Sequence, residues 1–269
     1  MKLRIDLEKE YGIVLEGGGA RGAYQIGVWK ALREAGIKIR GIAGASVGAL
    51  NGALICMDDL EKAEEIWENI RYSQVIDVDD DVIETVKKLD LKSLNLVKVA
   101  EDAKKILKDK GLDITPLKNL IESVVDEDKI RSSDRELYLT TYSVTDRELL
   151  VLNAKDIPDG EIGDMLLASA YFPAFRNDKL GGKRYLDGGG WNNVPINILL
   201  EHDYKDILVI RIYGLGYDSE RTTEIPEDVH VTHIAPRQDL GGILEFDRTR
   251  ARKNMTLGYY DAKRVLYGL

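Results

Sequence analysis

The chain has 269 residues, 44% hydrophobic and 32% charged, an ordinary globular composition with room for a large core. Its formal net charge of -9 argues against a general nucleic-acid binder, which needs a cationic face for phosphates, and gives no overall pull toward anionic lipid. Cys56 is the only cysteine, so an intramolecular disulfide is excluded; zinc-type Cys/His spacing is absent, and no apolar run is long enough to span a bilayer.

The N-terminal "MKLRIDLEKEYG" is too charged for a secretory signal, which with the absences above points to a cytoplasmic protein. Tyr11–Glu16 reads as a short buried strand, and Ala23–Ala35 as a helix with Ile26, Val28, Trp29 and Leu32 on its apolar stripe. Between them Gly17, Gly19 and Gly22 satisfy G-x-G-x-x-G. A glycine loop ahead of a helix N-terminus is an anion site, because unpaired N–H groups and the helix dipole point the same way. That physics does not choose the anion. A dinucleotide fold needs an acidic residue near the end of the second strand, and here "IRGIAGAS" (Ile39 to Ser46) ends in small residues. A Walker loop fails for want of a Lys-Ser/Thr pair.

That strand runs into "GASVG", Gly44 to Gly48, and then into a mostly apolar helix over Val47–Met57, with Cys56 as a small buried residue. G-x-S-x-G on a strand-to-helix turn forces a strained backbone on Ser46, and Gly44 and Gly48 relieve the crowding. The alternative is a plain turn of small residues. Both loops lie at the C-terminal ends of adjacent parallel strands and open on one crevice. The anion expected there is the transient oxyanion formed when Ser46 attacks a carbonyl, held by the Gly17, Gly18 and Gly19 amides. Arg21 either adds charge to that site or anchors the loop through the sheet's carbonyls, with the structural role preferred.

From Asp58 to about Asp128 charge density rises and helical periodicity dominates. "LNLVKVAEDAKKILKDKG" places Leu94, Val97, Ala100, Ala103 and Leu107 on one helix face, read as a packed rather than membrane-surface helix. "DVDDD", Asp77 to Asp81, is read as a solvated loop in preference to a cation site. Strands return at Glu136–Thr145 and Leu149–Ala154; Glu161–Tyr171 is helical; Lys205–Gly214 and Asp228–Pro236 are strands, and a helical tail follows. This order predicts an α/β/α sandwich around a mainly parallel sheet.

A serine nucleophile needs a base. His202, His230 and His233 all follow Ser46, so a Ser-His-Asp triad stays open, although none lies in a glycine-rich turn. Asp187, in "YLDGGGWNNVP", ends a short strand before three glycines and is the stronger candidate; its competing reading is an Asp-Gly hairpin turn. A non-enzymatic dinucleotide- or acyl-chain-binding module is the remaining rival.

Taken together, "GGGARGAYQIGVWKAL", "GASVGALNGA", "ASAYFPAF" and "DGGGWNNVP", with a weaker echo in "GYYDAKRVL", resemble the patatin-like phospholipase family. The resemblance implies a three-layer α/β/α domain spanning residues 1–269; the helical stretch at about 60–130 matches nothing in the family and is read as an insertion. It implies a Ser-Asp dyad on Ser46 and Asp187, an oxyanion loop at Gly17–Gly19 completed by Arg21 and Gly22, an elbow at Gly44 and Gly48, and an Asp-Gly-Gly motif with Gly188 and Gly189. It implies acyl-lipid ester hydrolysis with no cofactor and no metal, an acyl pocket shaped partly by Ala168–Phe175, and room for peripheral contact with a membrane. Asn192 departs from the acidic residue of many members.

Overall fold

Strand β1 (Glu10–Leu15) leads through a single 3-10 turn (Gly19–Gly22) into helix α1 (Ala23–Glu34), and β2 (Lys38–Ala45) passes into α2 (Val47–Cys56). The coordinates are a computed structural model, which describes residues 5–77 and 111–268. α3 (Leu60–Asn69), α4 (Thr115–Val124) and α5 (Glu127–Ser132) follow, then β3 (Glu136–Ser143), β4 (Glu148–Asn153), α6 (Ile162–Ser169) and β5 (Tyr185–Asp187). The chain continues as α7 (Gly189–Asn192), α8 (Ile196–Glu201), β6 (Asp206–Ile210), β7 (His230–Ile234) and α9 (Arg248–Tyr267).

Local chemistry sets the ends of these elements. Gly36, at φ 79°, takes the left-handed conformation that stops α1, and its N–H bonds the Arg33 carbonyl at 3.0 Å. The Asp59 carboxylate caps α3 by accepting the Lys62 N–H at 3.1 Å, and Asp247 caps α9 in the same way. No helix among the described residues is long and apolar enough to cross a membrane.

The sheet order is β4-β3-β2-β1-β6-β7. β3, β2, β1, β6 and β7 are parallel, as the alternation of strands and helices predicts; β4 and β5 run antiparallel to β3. Side chains alternate across it: Ile13 and Leu15 enter a core with α1, α2 and α9, while Val14 enters a second core with Ile196, Ile198 and Leu199 of α8. The result is the three-layer arrangement, with helices on both faces.

One feature of the topology positions the site. β2 pairs with β3 up to Ala45 opposite Thr140, and β5 pairs with the same edge of β3 from Ser143 down to Asp187 opposite Thr141. Two strands of opposite direction therefore meet end to end, with Ser46 at one tip and Asp187 at the other.

Two expectations shift. The strand expected over Lys205–Gly214 ends at Ile210, because Arg211–Gly214 leave the sheet to wrap the Glu16 carboxylate. The helix expected around Leu94–Leu107 lies outside the described residues. So does most of Asp77–Asp81; Asp77 itself bonds the backbone of Asp113 at 2.8 Å.

Candidate active site

Ser46 is the single residue between β2 and α2, at φ 54° and ψ -125°. A non-glycine residue there costs on the order of 1–3 kcal/mol, so the surroundings must hold it. They do so from two sides. The Ser46 N–H donates to Ser169 Oγ at 3.0 Å, and the Ser46 carbonyl accepts from Ala49 N–H at 2.9 Å. Gly44 and Gly48 face each other across the turn: a Cβ on Gly44 would lie 2.5 Å from the Gly48 carbonyl carbon, and one on Gly48 would overlap the Leu15 carbonyl. The glycines of G-x-S-x-G are thus space-makers for the elbow, as the motif predicts.

Asp187 is reached from the other strand. Its N–H bonds the Tyr171 carbonyl at 2.8 Å, which ties the strand end to the "ASAYFPAF" segment. Its carboxylate accepts the Gly189 N–H at 2.8 Å, and the Ser46 side chain lies close enough to favour its charged form. Burial pushes its pKa up to about 6, and Ser46 and Gly189 offset this only in part. The glycines after it allow close approach rather than a left-handed turn. Gly188 has φ -61°, but a Cβ there would overlap the Thr140 carbonyl, and one on Gly189 would overlap Asn193 Oδ1.

The glycine loop faces both residues. Gly19 has φ 54°, and a Cβ there would overlap the Ile243 carbonyl, which accepts the Ala20 N–H at 2.8 Å. Of the three amides expected to bind an oxyanion, Gly17 N–H already donates to the Asn193 carbonyl at 3.2 Å. Asn193 Nδ2 returns a bond to the Gly17 carbonyl at 3.2 Å. Gly18 and Gly19 N–H have no hydrogen-bond partner among the described residues, and both glycines border the cavity. Arg21 lies to the side: its Nε donates to the Gly241 carbonyl at 2.8 Å and its Nη1 to the Tyr213 carbonyl, so it anchors the loop. Gly22 gives α1 its close contact with Val47 of α2.

Buried polar groups fix this loop from below. The Glu16 carboxylate accepts from Arg211 Nε at 3.0 Å and from the Ile212, Tyr213 and Gly214 N–H groups at 2.7, 3.0 and 3.2 Å. Gln25 Nε2 donates to the Glu16 carbonyl at 2.7 Å, and Asn51 Nδ2 donates to Gln25 Oε1 at 2.8 Å. Trp67 Nε1 closes the chain on Asn51 Oδ1 at 3.0 Å. Sequence reasoning assigned no role to Glu16 or Asn193, and placed Ser169 only within the pocket-shaping Ala168–Phe175 segment. Asn193 bonds a residue 176 positions away, which no local pattern encodes.

Ser46, Asp187, Gly18 and Gly19 border one cavity. Apart from Asn51 and Asn193 the remaining wall is apolar, with Leu50 and Leu54 of α2, Met57 just past its end, and Phe172 and Phe175 of the "ASAYFPAF" segment contributing. No histidine is among the described residues that line it. His202, His230 and His233 are all exposed; His202 bonds the Ile198 carbonyl at 2.8 Å, and His233 pairs with Glu220 at 2.5 Å. Asn192 is buried, bonded to Asn197 and Ser219 away from the Ser46 hydroxyl.

The family model described as patatin-like phospholipase matches residues 13–200, which take in the glycine loop, the elbow and the Asp187 turn. The chain belongs to the patatin-like phospholipase family. Among curated proteins, this patatin-like chain is 60% identical over 50 residues to Lysophospholipase nte1 of Aspergillus terreus, a stretch that is 19% of this chain and 3% of that protein. It is 60% identical over 47 residues to Neuropathy target esterase sws of Drosophila sechellia, 18% of this chain and 3% of the relative. The match thus spans only a small part of these relatives. Among solved structures, VipD from Legionella pneumophila aligns over 96% of this chain and 66% of its own, with a TM-score of 0.54 and 14% identity. At that identity the likeness concerns the fold.

Proposed function

We propose that this patatin-like chain hydrolyses carboxylic ester bonds of acyl lipids through an acyl-serine intermediate, with Ser46 as nucleophile and Asp187 as its base. The observation that carries the reading is the end-to-end meeting of β2 and β5, which sets the Ser46 side chain beside the half-buried Asp187 carboxylate at the polar end of an apolar cavity. Ser46 Oγ bonds to the acyl carbon while its proton passes to Asp187. The carbonyl oxygen becomes an alkoxide facing the free Gly18 and Gly19 N–H groups, each such donor being worth about 3–4 kcal/mol. The ester C–O bond then breaks, and the leaving alcohol takes the proton from Asp187. Water attacks the acyl-serine, its proton moving to Asp187 and on to Ser46 Oγ, and the fatty acid leaves. A carboxylate is a weak base at its ordinary pKa, and its rise to about 6 brings it nearer the range in which proton transfer is effective.

The described helices α3–α5 are read as part of the same domain, since Ile66, Leu117, Ile121 and Ile130 pack into the core shared with the sheet. The exposed side chains of Trp191, next to the Asp187 turn and stacked on Tyr142, and of Tyr213 and Tyr217, on the loop packed against Gly17 and Gly18, suit peripheral contact with a lipid surface.

The test is hydrolysis of p-nitrophenyl butyrate by the full chain. Ser46→Ala is expected to abolish it with the thermal unfolding transition retained, while His202→Ala, His230→Ala and His233→Ala keep it. Loss in a histidine variant with survival in Ser46→Ala would reverse the assignment.

A further inference from the structure

The cavity that holds Ser46 also reaches Met57 at the far end of α2. Val47, Leu50, Leu54 and Met57 all border it, a spacing of three or four residues that forms a single stripe along the helix. The cavity therefore follows the length of α2, and α3, α6 and the 243–246 segment contribute further wall through Ile66, Leu166 and Phe246. Leu117, Leu120, Ile121 and Val124 form the matching stripe on α4. At the far end Met57 meets Val124 and Val125 around the cavity, and the Met57 thioether accepts the Asp126 N–H at 3.3 Å. That bond pins a flexible side chain between the end of α2 and the start of α5.

We propose that this channel is an acyl-chain ruler, with Ser46 at its origin and Met57 at its floor, that selects chains of about twelve to fourteen carbons; the identity of the chain as the acyl group under attack rests on the nucleophile reading above. The length follows from geometry. Met57 lies eleven positions after Ser46, which at a rise of about 1.5 Å per residue is roughly 16 Å. An extended chain with C–C bonds of about 1.5 Å at near-tetrahedral angles advances about 1.25 Å per carbon, so roughly thirteen carbons fill it. Each methylene buried along the apolar walls strengthens binding about fourfold; one that passes the floor gains little. A full-length chain is therefore favoured over a short one by several orders of magnitude, and a longer chain gains nothing more.

Two series measured together test this. Saturated fatty acids of six to eighteen carbons are titrated calorimetrically into the Ser46→Ala protein, and p-nitrophenyl esters of the same lengths are given to the unaltered protein. The head group is constant within each series, so the slope reads the channel alone. Affinity and kcat/KM are expected to climb about fourfold per methylene and to stop climbing at twelve to fourteen carbons. Met57→Ala moves the break outward by two or three carbons. Leu54→Trp, one helical turn nearer Ser46, moves it inward by three or four. A climb that continues unbroken to eighteen carbons, or a break that neither substitution moves, overturns the ruler. A movable break in fatty-acid binding without any ester hydrolysis supports the channel and removes the nucleophile reading; hydrolysis with no break in either series does the opposite.

Discussion

Glu16 and Asp187 are two carboxylates at strand ends on one rim of the sheet, the first buried and the second half-buried, and they have opposite surroundings. Burial raises the pKa of both. Glu16 receives Arg211 and three backbone N–H groups, which use both of its oxygens and turn it into the hub of the 211–214 loop. Asp187 receives one backbone N–H and has the Ser46 side chain beside it, no cation pairs with it among the described residues, and it borders the cavity. A carboxylate saturated with donors is architecture. The same group left under-satisfied beside a hydroxyl is poised to take a proton, and the native state bears the cost of keeping it ionised.

The sharpest way to break this comparison is to neutralise each carboxylate in turn. Asp187→Asn is expected to lower kcat for ester hydrolysis about 10³- to 10⁴-fold, the upper range for loss of a general base. It is also expected to stabilise the protein at pH 8. A folded pKa of about 6 against an ordinary value of 3.8 means that native stability is greatest while Asp187 is protonated and falls as pH rises through 6. Relief of that burden is worth up to about 3 kcal/mol, or several degrees in Tm. Accordingly, kcat/KM of the unaltered protein should fall with acidification below about pH 6, where the base becomes protonated.

Glu16→Gln should show the converse pattern. It removes the buried partner of Arg211 and turns an amide N–H toward groups that are themselves donors. The expected loss is about 3–5 kcal/mol of stability by chemical denaturation. Activity per folded molecule should drop far less than in Asp187→Asn; a collapse of kcat at unchanged stability would make Glu16 part of the chemistry.

The smallest effect sharpens the picture of the elbow. Ser169→Ala removes the acceptor of the Ser46 N–H and should cost about 1–3 kcal/mol of stability. With the strained turn less firmly held, kcat is expected to fall about tenfold with KM nearly unchanged. A change in KM alone would assign Ser169 to substrate binding.

Much of this site was legible in the sequence because its key turns are local. Glycines flank the elbow, follow Asp187 and build the loop after β1, and Gly17, Gly18, Gly19, Gly44, Gly48, Gly188 and Gly189 all sit where a neighbouring backbone or side chain comes too close for a Cβ. β1, β2, α1 and α2 fall within a residue or so of their predicted limits. Legibility ended where partners are distant. The strand expected to reach Gly214 stops at Ile210 since Glu16, far earlier in the chain, competes for its N–H groups. Gly17 reads as an oxyanion donor until Asn193 is seen to occupy its N–H. Arg21 stayed open between two roles until the carbonyls of Gly241 and Tyr213 were found around it.

The pairing of Ser46 with Asp187 is tested most directly by the rate of covalent labelling with a fluorophosphonate, followed by intact mass and peptide mapping. One adduct is expected, on Ser46, forming at least a hundredfold more slowly in Asp187→Asn and at an unchanged rate when all three histidines are replaced by Ala. An adduct on another residue, or equal labelling rates with and without the Asp187 carboxylate, would contradict the account.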